Sequence, residues 1–233
     1  MRSLSNMDFL NLWEGGAGLG PLDRGLLALG AALPDTPHDT LADWPLGLRN
    51  RSLAELQCAV FGRDLQGWVS CPRCAEKLEF QLDGGALALE KPLDCGPVEV
   101  GGHSFRLPTS RDVAGVARET DARAAAVRLI ESCRVDPSGP VEWSDADIEE
   151  IGECLAAADP LAETRLTLRC AECSHEWEES LDIAGFVWQE VEARANRLLR
   201  DIHTLAAAYG WTESEVLRLS EARRGLYLDM VRA

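Results

Sequence analysis

The chain has 233 residues, 46% of them hydrophobic, with 8 cysteines, 7 tryptophans and a formal net charge of −16. That apolar content is enough for a packed core, and the length suits one large domain or two small ones. No apolar run approaches the ~20 residues that span a bilayer, and a strongly acidic chain is a poor partner for nucleic acid, whose binding rests on Lys and Arg neutralising phosphates.

Taken in chain order, residues 1–20 contain Asp8 and Glu14 and no apolar h-region, so we expect no signal peptide. The expected setting is a reducing cytoplasm, where thiols stay free or bind metal. Leu4 to Trp13 is a short apolar segment. The cluster Gly15-Gly16-Ala17-Gly18-Leu19-Gly20 should break it as a flexible turn, because no lysine follows at phosphate-binding spacing. Pro21 opens a helical stretch to Leu33, and residues 34–39 read as a loop. Ser52 with Glu55 is a capping-box pattern, opening a helix through Leu53, Leu56, Ala59 and Val60 that ends at Gly62. Cys58 lies inside it and reads as a packed thiol.

Residues 83–108 are rich in Gly and Pro, with a short strand expected at Val98–Val100. Residues 111–134 read as helical, with Val113, Val116, Ala117, Ala124, Val127, Leu129 and Ile130 as packing candidates. Asp136 to Pro140 is a turn. Ser144 caps a helix over residues 145–158, which Asp159-Pro160 ends. Apolar residues from Ile183 to Tyr209 recur at three- and four-residue steps, which predicts one long helix with Gly210 as its C-cap. Thr212 and Glu215 form a second capping box, and Ser220 opens a last helix containing Leu226, Tyr227, Met230 and Val231.

The most informative signal is a pair of Cys-x-x-Cys motifs, Cys71-Pro72-Arg73-Cys74 and Cys170-Ala171-Glu172-Cys173. Each is followed by an apolar residue and a glutamate (Leu78-Glu79, Trp177-Glu178) and closes on Leu-Asp (Leu82-Asp83, Leu181-Asp182). Two residues between cysteines let a tight turn aim both sulfurs at one ion, and two such turns supply the closed tetrahedral set of a structural zinc site. Extended segments enter and leave each turn, which reads as strand, knuckle, strand, twice. The flanks argue against a thioredoxin-like redox motif, which sits at a helix N-terminus. The pairs lie roughly a hundred residues apart instead of the usual 15–20. The fold must therefore bring them together around an inserted subdomain.

The expected architecture is α+β. A helical segment (1–63) precedes two halves of a zinc ribbon (64–83 and 164–182), which flank a mainly helical insert (84–163), with C-terminal helices after 183. The metal ligands are Cys71, Cys74, Cys170 and Cys173, holding one structural Zn2+. With four thiolates no coordination position stays open, so no catalysis is expected at the metal. Cys58, Cys95, Cys133 and Cys154 lack ligand spacing. His175 reads as a ribbon residue with an exposed ring, and His103 and His203 receive no role.

Charge is uneven. Residues 142–182 carry 13 acidic and 2 basic side chains, while residues after 183 balance. The acidic stretch reads as a solubility device or as a docking face for a basic partner. The sequence has no P-loop, no nucleophile elbow and no His-Glu-x-x-His, so an enzyme is not expected.

Ala206-Ala-Ala-Tyr-Gly-Trp-Thr-Glu-Ser-Glu-Val-Leu-Arg-Leu-Ser220 with Arg223-Arg-Gly-Leu-Tyr-Leu228 resembles the T4-type baseplate hub assembly chaperone family of contractile tails. Leu46-Gly-Leu-Arg-Asn-Arg-Ser-Leu53, Phe61-Gly-Arg-Asp64 and both half-ribbons look similar to that family too, so the likeness covers residues 41–83 and 164–231. The resemblance implies a non-enzymatic role in building a baseplate hub of a phage tail or tail-like injection particle. It implies hub or tape-measure proteins as partners, with neither nucleic acid nor membrane. A permanent baseplate subunit is the alternative, and a zinc-ribbon regulator that binds nucleic acid is a further one. Trp211 reads as a staple between two helices or as an exposed anchor for a partner.

Overall fold

The computed structural model describes residues 1–88, 96–135 and 139–232. Its architecture is α+β, with small antiparallel sheets among many helices. The N-terminal elements are α1 (Asn6–Gly16), α2 (Pro21–Ala32), α3 (His38–Ala42) and α4 (Leu46–Val60). Two strands, β1 (Asp64–Ser70) and β2 (Lys77–Asp83), form one hairpin, and α5 (Gly84–Ala88) follows. The central stretch holds β3 (Val98–Val100), β4 (His103–Phe105), α6 (Ser110–Val116), α7 (Ala122–Cys133) and α8 (Asp145–Ala158). A second hairpin, β5 (Arg165–Arg169) with β6 (Glu176–Ser180), leads into α9 (Ile183–Tyr209), α10 (Glu213–Leu217) and α11 (Glu221–Arg232).

α9 is the spine. Its first turns join Leu26, Leu29, Leu53, Leu56, Leu65 and Leu181 in one buried cluster. Its middle packs Trp188, Val191 and Leu198 against Phe9, Leu10 and Leu12 of α1. Its last turns bury Leu205 with Val216 and Leu228. The central stretch has a separate core of Val100, Phe105, Leu107, Ile130, Cys133, Trp143, Ile151 and Leu155. Of the packing candidates there, Ile130 is buried, while Ala117 and Ala124 are exposed.

Several expectations are corrected. The glycine cluster does not stop α1 at Gly15: the helix runs through Gly16, which is buried under the Trp188 ring where any Cβ would clash. Ser5 and Asp8 form the capping box that starts this helix. The expected loop at 34–39 ends early, because α3 begins at His38 after Pro37. Ser52 is not an N-cap. It sits buried in the middle of α4, which begins at Leu46 after Pro45. The free N–H of Gly47 donates instead to Asp159 Oδ2 at 2.8 Å, so a residue 112 positions away caps this helix. The expected helical stretch 111–134 is two helices, because Asp121 caps a new one by accepting from the N–H groups of Arg123 and Ala124. β3 has a partner, β4, across Gly101 (φ 59°) and Gly102 (φ 79°), a two-residue turn that needs positive φ at both positions. The expected turn at Asp136 to Pro140 lies largely outside the described residues, as does Cys95.

Candidate metal centre

Each knuckle is built by its own backbone. The N–H of Cys71 donates to Glu76 O at 2.8 Å and the N–H of Ala75 to Cys71 O at 2.9 Å. In the second knuckle Cys170 N–H donates to His175 O at 2.9 Å and Ser174 N–H to Cys170 O at 3.0 Å. Ala75 (φ 61°) and Ser174 (φ 55°) each occupy the left-handed region just after the second cysteine. These are the only non-glycine positive φ values among the described residues. Strain at two matched positions is retained because the turn must aim two sulfurs one way.

The two hairpins do not merge into a single sheet; each is a separate two-stranded ladder. What joins them is apolar anchoring and sulfur proximity. Leu65 and Leu181 are both buried in the main core, with Leu82 and Leu166 packed against it. Gly67 lets Phe80 and Phe186 approach: a Cβ there would lie 2.7 Å from one ring and 2.9 Å from the other. Those rings meet edge-on at 6.0 Å and tie the first hairpin to α9.

This brings together all four cysteines singled out by sequence. Their sulfurs lie within 4.8 Å of one another, with Cys71 to Cys173 and Cys74 to Cys170 each at 3.6 Å. A tetrahedron of thiolates at ~2.3 Å from one ion puts neighbouring sulfurs about 3.8 Å apart. The observed set therefore suits a single metal ion. Cys71 and Cys170 are buried, Cys173 is half-buried and Cys74 faces solvent.

The electrostatics point the same way. Desolvation pushes the Cys71 thiol up, but the N–H groups of Cys74 and Arg73 outweigh it and hold that thiol below its ordinary range. At Cys74 the Glu76 N–H favours the thiolate. Desolvation and the three neighbouring sulfurs outweigh this and push the thiol up. Four sulfurs this close cannot all carry negative charge without a cation among them.

His175 is half-buried and stacked on Trp177 at 6.0 Å, rather than holding its ring out to solvent. Cys133 is fully buried in the central core, where desolvation raises its pKa, and Cys58 and Cys154 are half-buried apart from the sulfur group. His103 packs edge-on against Trp143 at 5.1 Å. Trp211 is half-buried, stacked on Tyr209 at 4.8 Å and edge-on to Tyr227 at 4.8 Å, so it staples the end of α9 to α11. Among the described residues no helix is long and apolar enough to cross a membrane. Comparison with family models, with curated proteins and with solved structures found no match for this chain.

Proposed function

We propose that Cys71, Cys74, Cys170 and Cys173 hold one structural zinc ion that closes a split zinc ribbon. We propose further that the chain serves as a non-enzymatic assembly chaperone or adaptor for the baseplate hub of a contractile tail or tail-like particle. The observation that carries the first reading is the convergence of four sulfurs from two knuckles about a hundred residues apart within 4.8 Å. Zinc is the ion of choice for a closed four-thiolate tetrahedron in a reducing compartment. A site with no open position gives structure, not turnover.

The adaptor reading rests on the sequence likeness and on how its segments lie. The two stretches that carry it, 41–83 and 164–231, share one continuous body: Leu53 of α4, Leu65 of β1 and Ile183 of α9 belong to the same core cluster. The less similar central stretch has its own core. Mass spectrometry of purified contractile particles from the source strain, with a pull-down from its lysate, tests this reading. A chaperone is absent from finished particles and captures hub or tape-measure protein. Presence at fixed stoichiometry would make the chain a permanent subunit, and tight oligonucleotide binding at low salt would revive the regulator.

A further inference from the structure

A groove of about 780 Å³ runs between α9 and α11. Arg197, Arg200 and Asp201 line it from α9, and Glu221, Arg224 and Arg232 from α11. Its two carboxylates are already engaged. Asp201 Oδ2 accepts from Arg224 Nε at 2.8 Å, and Glu221 accepts from both terminal nitrogens of Arg194 at 2.9 Å. Arg224 is 2% exposed, and its Nη1 is buried with no hydrogen-bond partner. A buried guanidinium left part-satisfied is costly, so the groove is short of negative charge. Arg200 and Arg232 are exposed and make no side-chain hydrogen bond or ion pair among the described residues. A local excess of unengaged arginine in a chain of net charge −16 is not explained by solubility.

We propose that this groove is a docking site for an acidic segment of a protein partner. Carboxylates of the segment take the guanidinium forks of Arg197, Arg200 and Arg232, whose planar donors match that geometry. Apolar side chains of the segment rest on Leu199, which is 37% exposed, and on Leu228 below it. A nucleic acid strand is disfavoured, because the leucines offer nothing to phosphates and the chain's charge opposes a continuous polyanion. The proposal deepens the adaptor reading by naming where a partner binds, and rests on it for the partner being a protein.

The test is fluorescence anisotropy on the full-length protein with a labelled helical peptide carrying Leu and flanking Glu side chains on one face. Its Glu-to-Gln counterpart and a labelled single-stranded oligonucleotide serve as competing probes. The Glu peptide should bind, weaken with salt, and lose about tenfold or more in affinity to an Arg200→Glu/Arg232→Glu double variant. Both positions are exposed, so the variant should keep the wild-type melt and metal content. Failure of the peptide to bind, equal binding by the Gln peptide or the variant, or preference for the oligonucleotide would overturn the proposal. So would salt-sensitive self-association abolished by the same substitutions, since the occupant would then be acidic surface of a second copy. Peptide binding without hub capture in the pull-down upholds the groove and counts against the adaptor reading alone.

Discussion

The two cysteine-bearing hairpins and the central stretch are small regions built in different ways. The hairpin region's strands alternate exposed and half-buried residues, with Leu65 the one fully buried side chain of its four strands, and Trp68 is 63% exposed. It has two separate ladders that lean on the main core through Leu65, Leu82, Leu166 and Leu181, and the four sulfurs meet at their tips. Among its described residues the central stretch gathers no cluster of potential metal ligands. It packs Phe105, Trp143, Ile151 and Leu155 into a core and locks Arg106 onto Asp112 through two contacts of 2.7 and 2.8 Å. On the proposed reading, a metal does for the first region what a core of its own does for the second.

Breaking the metal site should produce the largest effect. Cys71→Ser or Cys173→Ser leaves a half-site that cannot hold the ion. Because metal binding is folding free energy, on the order of 10 kcal/mol in small zinc domains, both variants should lose metal and melt far below wild type. Calorimetry checks this, and variants that melt like wild type would remove the metal from the account.

Trp143→Ala should cost about 3–5 kcal/mol, because it empties a core position and removes the indole N–H that Glu131 accepts at 2.6 Å, leaving that carboxylate its pair with Arg134. Metal content should stay unchanged. Loss of metal in this variant would show that the two regions are not independently held. Gly16→Ala tests the spine, where the added methyl meets the Trp188 ring; overpacking of this kind costs about 1–3 kcal/mol in a denaturant titration.

Acid should separate the regions. At Asp112 burial pushes the carboxyl up, but Arg106 and Thr109 outweigh it and hold it at about 2. Its folded pKa lies below the ordinary ~3.9, so its contribution is present above that value and is lost as pH falls toward about 2. Thiolate ligands take up protons earlier in the descent. Metal should therefore leave first, while tryptophan fluorescence of the central core persists until Asp112 titrates; simultaneous loss would merge the two regions. Asp112→Ala should cost about 1–3 kcal/mol near neutral pH and flatten the lower transition. The most local effect is expected at Trp211→Ala, where ring contacts worth about 0.5–1.5 kcal/mol are lost in addition to buried area, confined to the α9–α11 junction. Hydrogen exchange localises it there if the ring is a staple.

What the sequence made legible was local chemistry. The knuckles show because the cysteine spacing and the residue pattern after each pair repeat within a dozen positions. α8 and α9 have the bounds read from their caps and periodicity. The misses are contacts between residues far apart in the chain. Asp159 caps α4 from across the fold, whereas Ser52 and Glu55 mimic a capping box in mid-helix, since the same three-residue step occurs within any helix. Gly16 is small because of Trp188, and no nearby residue says so. The Gly101-Gly102 turn was readable, as two glycines beside a strand signal a hairpin. The arginine groove was hidden by averaging: charges balance after residue 183 in the chain, and only the packing of α11 on α9 gathers the arginines on one side.

The most direct measurement is the metal content of full-length protein purified under reducing conditions, by inductively coupled plasma mass spectrometry. The account predicts one zinc per chain, released with loss of the cooperative melt when a strong chelator is added. Well under one metal per chain, with a melt indifferent to the chelator, would contradict it.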